Sequence, residues 1–412
     1  MLLRLILVSM TRRASFPVWV FVLCVGVAAA WAQDGTLFSL PNDFNLIDVS
    51  SVDDWDGVDD CSDSDGTIVQ TGGIVNQGRY PIGSRSFTWH DASRRRTVPA
   101  QVYFPTTKGQ RFPVIVFSHG LGGSPTRCSY LGSAWASRGF VVVLLQHHGS
   151  DENVWQGKLR VMNELREAYK TCWNGRTRAL DIRFALDRLE SLEKSGDWLG
   201  SLLDLENIGV GGYDLGSLGA LLVAGQLPPD GRVSLADSRV KAVLAMSPPV
   251  NPPQRSYRDV YAAVGIPAFF ITGTEDDGIV GSTKASQRRI PFDSMSGNDR
   301  FLVVFQGADH MIYGGHFLSI RGRNDQPFQR AICRSSTLFW QAYLKNDEQA
   351  LTDISGYRLN SLLGVAATIE RHIVSRSEEV RTVLEPNETT ATPVHTETFP
   401  LTRFYRAIVM EN

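Results

Sequence analysis

Through the middle of the chain, continuous apolar runs of strand length alternate with stretches patterned like helices. The apolar runs are FPVIVFSHG from Phe112, FVVVLLQ from Phe140, NIGVGG from Asn207, VKAVLAMS from Val240, AVGIPAFFITG from Ala263 and RFLVVFQG from Arg300. Runs without polar alternation fit strands buried on both faces. Between them, YLGSAWASRG, VWQGKLRVMNELREAYK, TRALDIRFALDRLESLEKSG, LGSLGALLVAGQ and PFQRAICRSSTLFWQAYLK read as helices. In the third of these, Ile182, Ala185, Leu186, Leu189 and Leu192 form one apolar stripe, with Gly196 placed to cap its end. Ahead of the first run, SFTWHD and TVPAQVYFP alternate like two strands joined by the polar ASRRR. The pattern predicts an α/β fold: a doubly wound, mostly parallel sheet with helices on both faces.

In such sheets the chemistry sits past the carboxyl ends of the strands, so the residues there are the candidates. After PVIVF comes Ser118-His119-Gly120-Leu121-Gly122-Gly123, a turn whose backbone N–H groups can form half of an oxyanion hole. His119 is expected to shape this loop. After NIGVG comes Gly212-Tyr213-Asp214-Leu215-Gly216, a strand-to-helix elbow of the G-x-S-x-G kind with aspartate at its centre. Its glycines permit the sharp turn, and the Leu215 amide, at a helix N-terminus, is the second candidate oxyanion donor. After PAFFITG come Asp276 and Asp277, either of which can orient a histidine; Asp276 is preferred. After RFLVVFQG comes His310, the candidate general base. The order of elbow residue, acid and histidine is that of the α/β-hydrolase fold. A shifted register through Ser217 is disfavoured, since Leu215 stands where that pattern needs glycine and three residues carry Ser217 nearly a turn into the helix.

The chain has 412 residues, 43% hydrophobic and 20% charged, with a formal net charge of −2. That is the composition of a globular protein with a large core, and it gives no general attraction for nucleic acid. Residues 1–32 read as an export leader: Arg4, Arg12 and Arg13, an apolar run from Phe16 to Ala30 too short for a comfortable membrane span, then Ala30-Trp31-Ala32. Its removal leaves no integral membrane segment and predicts a periplasmic or extracellular protein. Cys61, Cys128, Cys172 and Cys333 would remain, and an oxidising compartment permits disulfides among them. No C-x-x-C pair points to zinc. Residues 33–82 are acidic and irregular; a calcium loop fails there because Cys61 stands where the register needs aspartate. Asn387-Glu388-Thr389 is a glycosylation sequon, relevant only in a eukaryotic secretory route. The α/β domain is assigned to 83–350. In the extension from 351 to 412, SLLGVAATIERHIVSRSEEVRTVL reads as a helix, EPNETTATPVHTETFP as a linker and LTRFYRAIV as a final strand.

The stretches RTVPAQVYFP, FPVIVFSHGLGG, HHGSDE, RALDIRFALDRL, IGVGGYDLGSLGA, ITGTEDD and GADHMIYGG together resemble α/β-hydrolases related to platelet-activating factor acetylhydrolase and bacterial dienelactone hydrolases. The resemblance spans roughly Ser86 to Leu344. It implies hydrolysis of short-acyl or lipid-like carboxylic esters without a cofactor or metal, with Asp276 as acid, His310 as base, and Leu121 and Leu215 as oxyanion donors. The departure is Asp214, where those relatives carry serine or cysteine. Three readings follow: an ester hydrolase in modified form, a non-catalytic ligand-binding homologue, and an Asp-nucleophile hydrolase of epoxides or haloalkanes. Against the third, only Pro248 to Pro267 separates the two strands between which such enzymes usually insert a helical cap. Tyr257 and Tyr261, at i and i+4, are its candidate donors to an epoxide oxygen.

Overall fold

The computed structural model describes residues 79–253, 255–314, 325–374 and the backbone of 405–408. The leader, the acidic segment with Cys61, and the sequon lie outside the described residues.

The chain runs β1 (Ile82–Asp91), β2 (Arg96–Pro105), β3 (Phe112–Ser118), α1 (Ser129–Ala136), β4 (Val141–Leu145), α2 (Val161–Cys172), α3 (Arg176–Lys194), β5 (Leu203–Tyr213) and α4 (Leu215–Ala224). It continues through β6 (Val240–Met246), α5 (Tyr257–Tyr261), β7 (Ala268–Glu275), α6 (Ile290–Ser294), β8 (Arg300–Asp309), α7 (Gln326–Leu344), α8 (Glu348–Ser355), α9 (Arg358–Leu363), β9 (Ala367–His372) and β10 (Tyr405–Ile408). The strands form one sheet in the order β1-β2-β4-β3-β5-β6-β7-β8-β9-β10. From β4 to β8 neighbouring strands are parallel; β1, β2, β9 and β10 add antiparallel pairs at the two edges. The predicted α/β architecture is what the chain adopts.

The continuous apolar runs are the central strands because both of their faces are covered. Every residue of β3 and β4 is buried. On one face α3 and α4 pack, with Ile182, Ala185, Leu186 and Leu189 buried and Leu192 partly buried against the same cluster. On the other face α1 and α7 pack, centred on Trp135, Phe339 and Trp340.

Two elements differ from the sequence reading. VWQGKLR precedes α2 as turns, because Gly157 adopts φ +71° and breaks any helix there. Of the stretch read as one helix from Ser361, the described residues finish α9 and then form β9, which pairs with β8. Its residues ATIERH alternate buried and half-buried, the period of a strand with one face on the core. The short Tyr405–Ile408 strand pairs with β9, within the segment read as a final strand.

Candidate active site

The sharp turn after β5 sets the geometry. Asp214 has φ +51° and ψ −124°, a strained conformation for a residue with a side chain. It is held by its amide on Met246 O (3.0 Å) and by its carbonyl, which accepts from the amides of Ser217 and Leu218. The turn closes only because its flanks are glycines: a Cβ on Gly212 would lie 2.2 Å from Gly216 C, and one on Gly216 would lie 2.0 Å from Ser118 O. Ser217 is fully buried and spends its hydroxyl on Asp214 O (2.6 Å), so it has no access to the cleft.

The Asp214 carboxylate faces the loop after β3 and the loop after β8. Its Oδ2 accepts the Leu121 amide at 3.1 Å. Its Oδ1 lies 3.8 Å from His310 Nε2. Leu215 follows directly as the first residue of α4. On its other side, His310 Nδ1 lies 2.8 Å from Asp276 Oδ1. A carboxylate oxygen that close requires the ring proton between them, so Nδ1 carries it and Nε2 is left facing Asp214. Asp276 is fully buried and also accepts from Ser247 Oγ and Thr272 Oγ1, each at 2.8 Å. Asp277 points elsewhere: its carboxylate is exposed and holds Lys284 Nζ at 2.8 Å and the Ala285 amide at 2.9 Å. The structure thus brings Asp214, His310 and Asp276 together and leaves Asp277 outside.

The loop carrying Gly120 and Leu121 rests on a buried polar network. Arg178, on α3, donates to the carbonyls of His119, Gly120 and Ser150 and to Ser118 Oγ. His119 donates from Nδ1 to Gly120 O (2.6 Å) and accepts the His147 amide. Burial holds its imidazole well below the usual range, so it is neutral. These bonds fit the expectation that His119 shapes the loop. Behind it, Ser118 Oγ donates to His147 Nε2 (2.8 Å) and His147 Nδ1 donates to Asp181 Oδ2 (2.9 Å). Asp181 is clamped by Arg94 and Arg96. Burial would raise the Asp181 carboxyl, but hydrogen bonds from His147 and Arg96 outweigh it and hold it well below the usual range. This Ser-His-Asp chain is fully buried, so its role is support and not turnover.

The cleft over Asp214 spans about 550 Å³, counting the part of it open to solvent. Its walls are mostly apolar: Leu121, Leu165, Ile279, Val280 and Met311, with Tyr169, Arg288 and His310 as polar members. Leu165 and Tyr169 come from α2, so the cover is supplied between β4 and α3 and not between β6 and β7. Burial and the nearby Asp214 push the Tyr169 phenol up, keeping it a hydrogen-bond donor. Tyr257 and Tyr261, at the spacing that more often reflects packing than function, pack with the hydrophobic core; Tyr261 is 2% exposed. Helical spacing was a packing signal there.

The sequence reading missed Arg288, Ser247, Thr272 and Tyr169. Arg288 and Ser247 lie in turns without a periodic signature, and Tyr169 sits on a helix whose face was not oriented by sequence. Among the described residues, Cys128, Cys172 and Cys333 are buried free thiols. No group of three or more His, Cys, Asp or Glu there is arranged to hold a metal ion.

A family profile described as platelet-activating factor acetylhydrolase, isoform II, matches residues 78–163, from just ahead of β1 into α2. The chain has the α/β-hydrolase fold and resembles the platelet-activating factor acetylhydrolases. It is 23% identical over 287 residues to the platelet-activating factor acetylhydrolase of Canis lupus familiaris, covering 60% of this chain and 61% of that one. To the Cavia porcellus protein of the same name it is 23% identical over 291 residues, covering 61% and 62%. The chain therefore matches about three-fifths of the length of these relatives.

Proposed function

We propose that this chain is an exported hydrolase of carboxylic-ester-hydrolase descent in which the Asp214 carboxylate is the nucleophile, His310 the base and Asp276 the acid. One observation carries the reading: Asp214 Oδ2 rests on the Leu121 amide while Oδ1 is turned toward the His310 side of the cleft. A carboxylate held this way presents one oxygen for attack and keeps the other in the oxyanion site.

The chemistry follows from that division. Oδ1 attacks a saturated carbon and displaces a halide or opens an epoxide, forming an alkyl ester of Asp214. His310 Nε2 then takes a proton from water, and the resulting hydroxide attacks the Asp214 acyl carbon. Negative charge develops on Oδ2, which already accepts the Leu121 amide, with the Leu215 amide as the second proposed donor. On collapse His310 returns its proton to the leaving alkoxide, which releases the alcohol. The new carboxyl group gives its proton to solvent, or to the phenolate of the group that protonated an epoxide, which restores the carboxylate. Tyr169, on the cleft wall, is the donor that protonates an epoxide oxygen in this reading. The apolar walls favour a compact, uncharged substrate.

A second reading keeps the ester substrate that the acetylhydrolase relatives' name suggests, with Asp214 and His310 activating a water directly. Its support is the resemblance itself. Its difficulty is that an ester's oxyanion needs the Leu121 amide, which Asp214 occupies, and that carboxylate attack on an acyl carbon gives an anhydride. The leader pattern of residues 1–32 supports export, and no helix among the described residues is long and apolar enough to cross a membrane. The test is intact-mass analysis of a His310→Gln variant after exposure to styrene oxide and to 1-chlorohexane. The proposal expects a stable adduct on the peptide bearing Asp214 with at least one of them. Turnover of p-nitrophenyl acetate by wild type, with no adduct from either reagent, would favour the ester reading.

A further inference from the structure

The guanidinium of Arg288 lies inside the site and has no step in the chemistry above. It is 1% exposed. Its Nε lies 2.7 Å from Asp276 O and 2.9 Å from Asp276 Oδ1, and its Nη2 lies 3.1 Å from His310 Nδ1. Its Nη1 donates to the carbonyls of Ser247 and Pro248. Tying the turns together needs only the carbonyl bonds. Placing a full positive charge against both the acid and the histidine has a second effect.

In a Ser-His-Asp site, the acid's negative charge balances the imidazolium that forms when serine gives up its proton. Here Arg288 cancels that charge, and the Asp276–Arg288 pair is neutral as a unit. The other groups around the ring do not restore it. Tyr213 lies beside it, centroids 5.3 Å apart, with its hydroxyl donating to His310 O and kept protonated by burial. Arg178 is directed to the carbonyls of the β3 loop, and Lys284 is tied to Asp277. Asp214, 3.8 Å from Nε2, is left as the uncancelled anion beside the imidazole. With His310 neutral, Asp214, Asp276 and Arg288 sum to one negative charge, the same as the acid alone in a Ser-His-Asp site. With serine at 214 the resting sum is zero, and the imidazolium that forms as serine gives up its proton meets an acid whose charge Arg288 already offsets, so it is less stabilised than in a Ser-His-Asp site.

We propose that Arg288 is a positioning residue that offsets the second carboxylate brought into the site by Asp214, so that this site is matched to a carboxylate at the elbow and mismatched to a serine. The inference rests on Asp214 being the reacting group, and it adds why the change is not confined to that position. It predicts that restoring serine alone does not restore a good esterase.

The experiment compares kcat and KM for p-nitrophenyl acetate in Asp214→Ser, Asp214→Ser/Arg288→Gln and Asp214→Ser/Arg288→Lys. The Gln double variant is expected to exceed Asp214→Ser in kcat by about tenfold or more, the effect of one pK unit of charge interaction. The Lys double variant, which keeps the charge, is expected to stay at or below Asp214→Ser. A purely structural Arg288 gives the opposite order, Lys tolerated and Gln damaging, and that order overturns the proposal. Formate titration of Asp214→Ala, followed by NMR, keeps the proposal testable if the Gln variant does not fold. With Arg288 in place, the vacated position is expected to bind formate saturably in the millimolar range; no saturable binding contradicts it. Neither arm uses the alkyl-ester step, so both can succeed or fail independently of adduct trapping in His310→Gln.

Discussion

Asp214 combines a strained backbone, a backbone donor on one carboxylate oxygen and a histidine facing the other. A solvated acidic residue on a loop needs none of these. The partner on the far side of the histidine is equally specific. Asp276 accepts from His310, Ser247 and Thr272 in full burial, whereas Asp277 faces solvent and Lys284. Asp276→Asn is therefore expected to lower kcat by about three to four orders of magnitude, through loss of the hydrogen bond that fixes the imidazole's orientation and tautomer. Asp277→Asn is expected to stay within about threefold of wild type, since an exposed ion pair contributes little. Comparable losses in the two variants would reassign the acid. The sequence placed both candidates at the right strand end. It could not choose between them, because the choice depends on Ser247 and Thr272, brought in from β6 and the interior of β7.

At the scale of elements, the loop after β3 carries the Leu121 donor and stands on α3 and on the loop after β4. The support is a buried network of Arg178, Ser118, His147 and Asp181. Burial and then the neighbouring Arg178 push the His147 imidazole down to about 4, from an ordinary value of 6.5. The unfolded chain therefore takes up a proton at this residue below about pH 6.5, and the folded chain does so only near pH 4. More protons bound in the unfolded state mean that stability falls as pH drops through that window, by about 3 kcal/mol for this group. His119, also buried and neutral, adds to the slope with the same sign. Asp181 stays ionised across the window. Denaturant unfolding measured from pH 7.5 to 4.5 should thus show a steeper loss in wild type than in His147→Gln, whatever the variant's baseline stability. Parallel curves would contradict the buried-neutral assignment.

The same scale shows what was legible. The central strands announced themselves as unbroken apolar runs, and α3 as a regular stripe, because each signal lies within one element. The strand β9 did not: only six residues carry its alternation, inside a longer stretch that also suits a helix. Arg288 was illegible for a different reason. Its meaning comes from two groups, Asp276 and His310, that reach it from separate strand ends.

For the whole molecule, the sheet order brings four strand ends to one edge of the cleft: β3 with the donor loop, β5 with Asp214, β7 with Asp276 and β8 with His310. This is the strand order of the α/β-hydrolase fold, and the acetylhydrolase family profile covers its first part, residues 78–163. The central claim is that the frame now works through a carboxylate that becomes covalently bound. Turnover in water enriched in heavy oxygen tests this most directly, because hydrolysis of an Asp214 ester places one solvent oxygen in the carboxylate. After repeated turnover of an accepted epoxide or haloalkane, the peptide containing Asp214 should carry heavy oxygen, with the Asp277 peptide unlabelled. Turnover that leaves the Asp214 carboxylate unlabelled, with the heavy oxygen found only in product, would contradict the account.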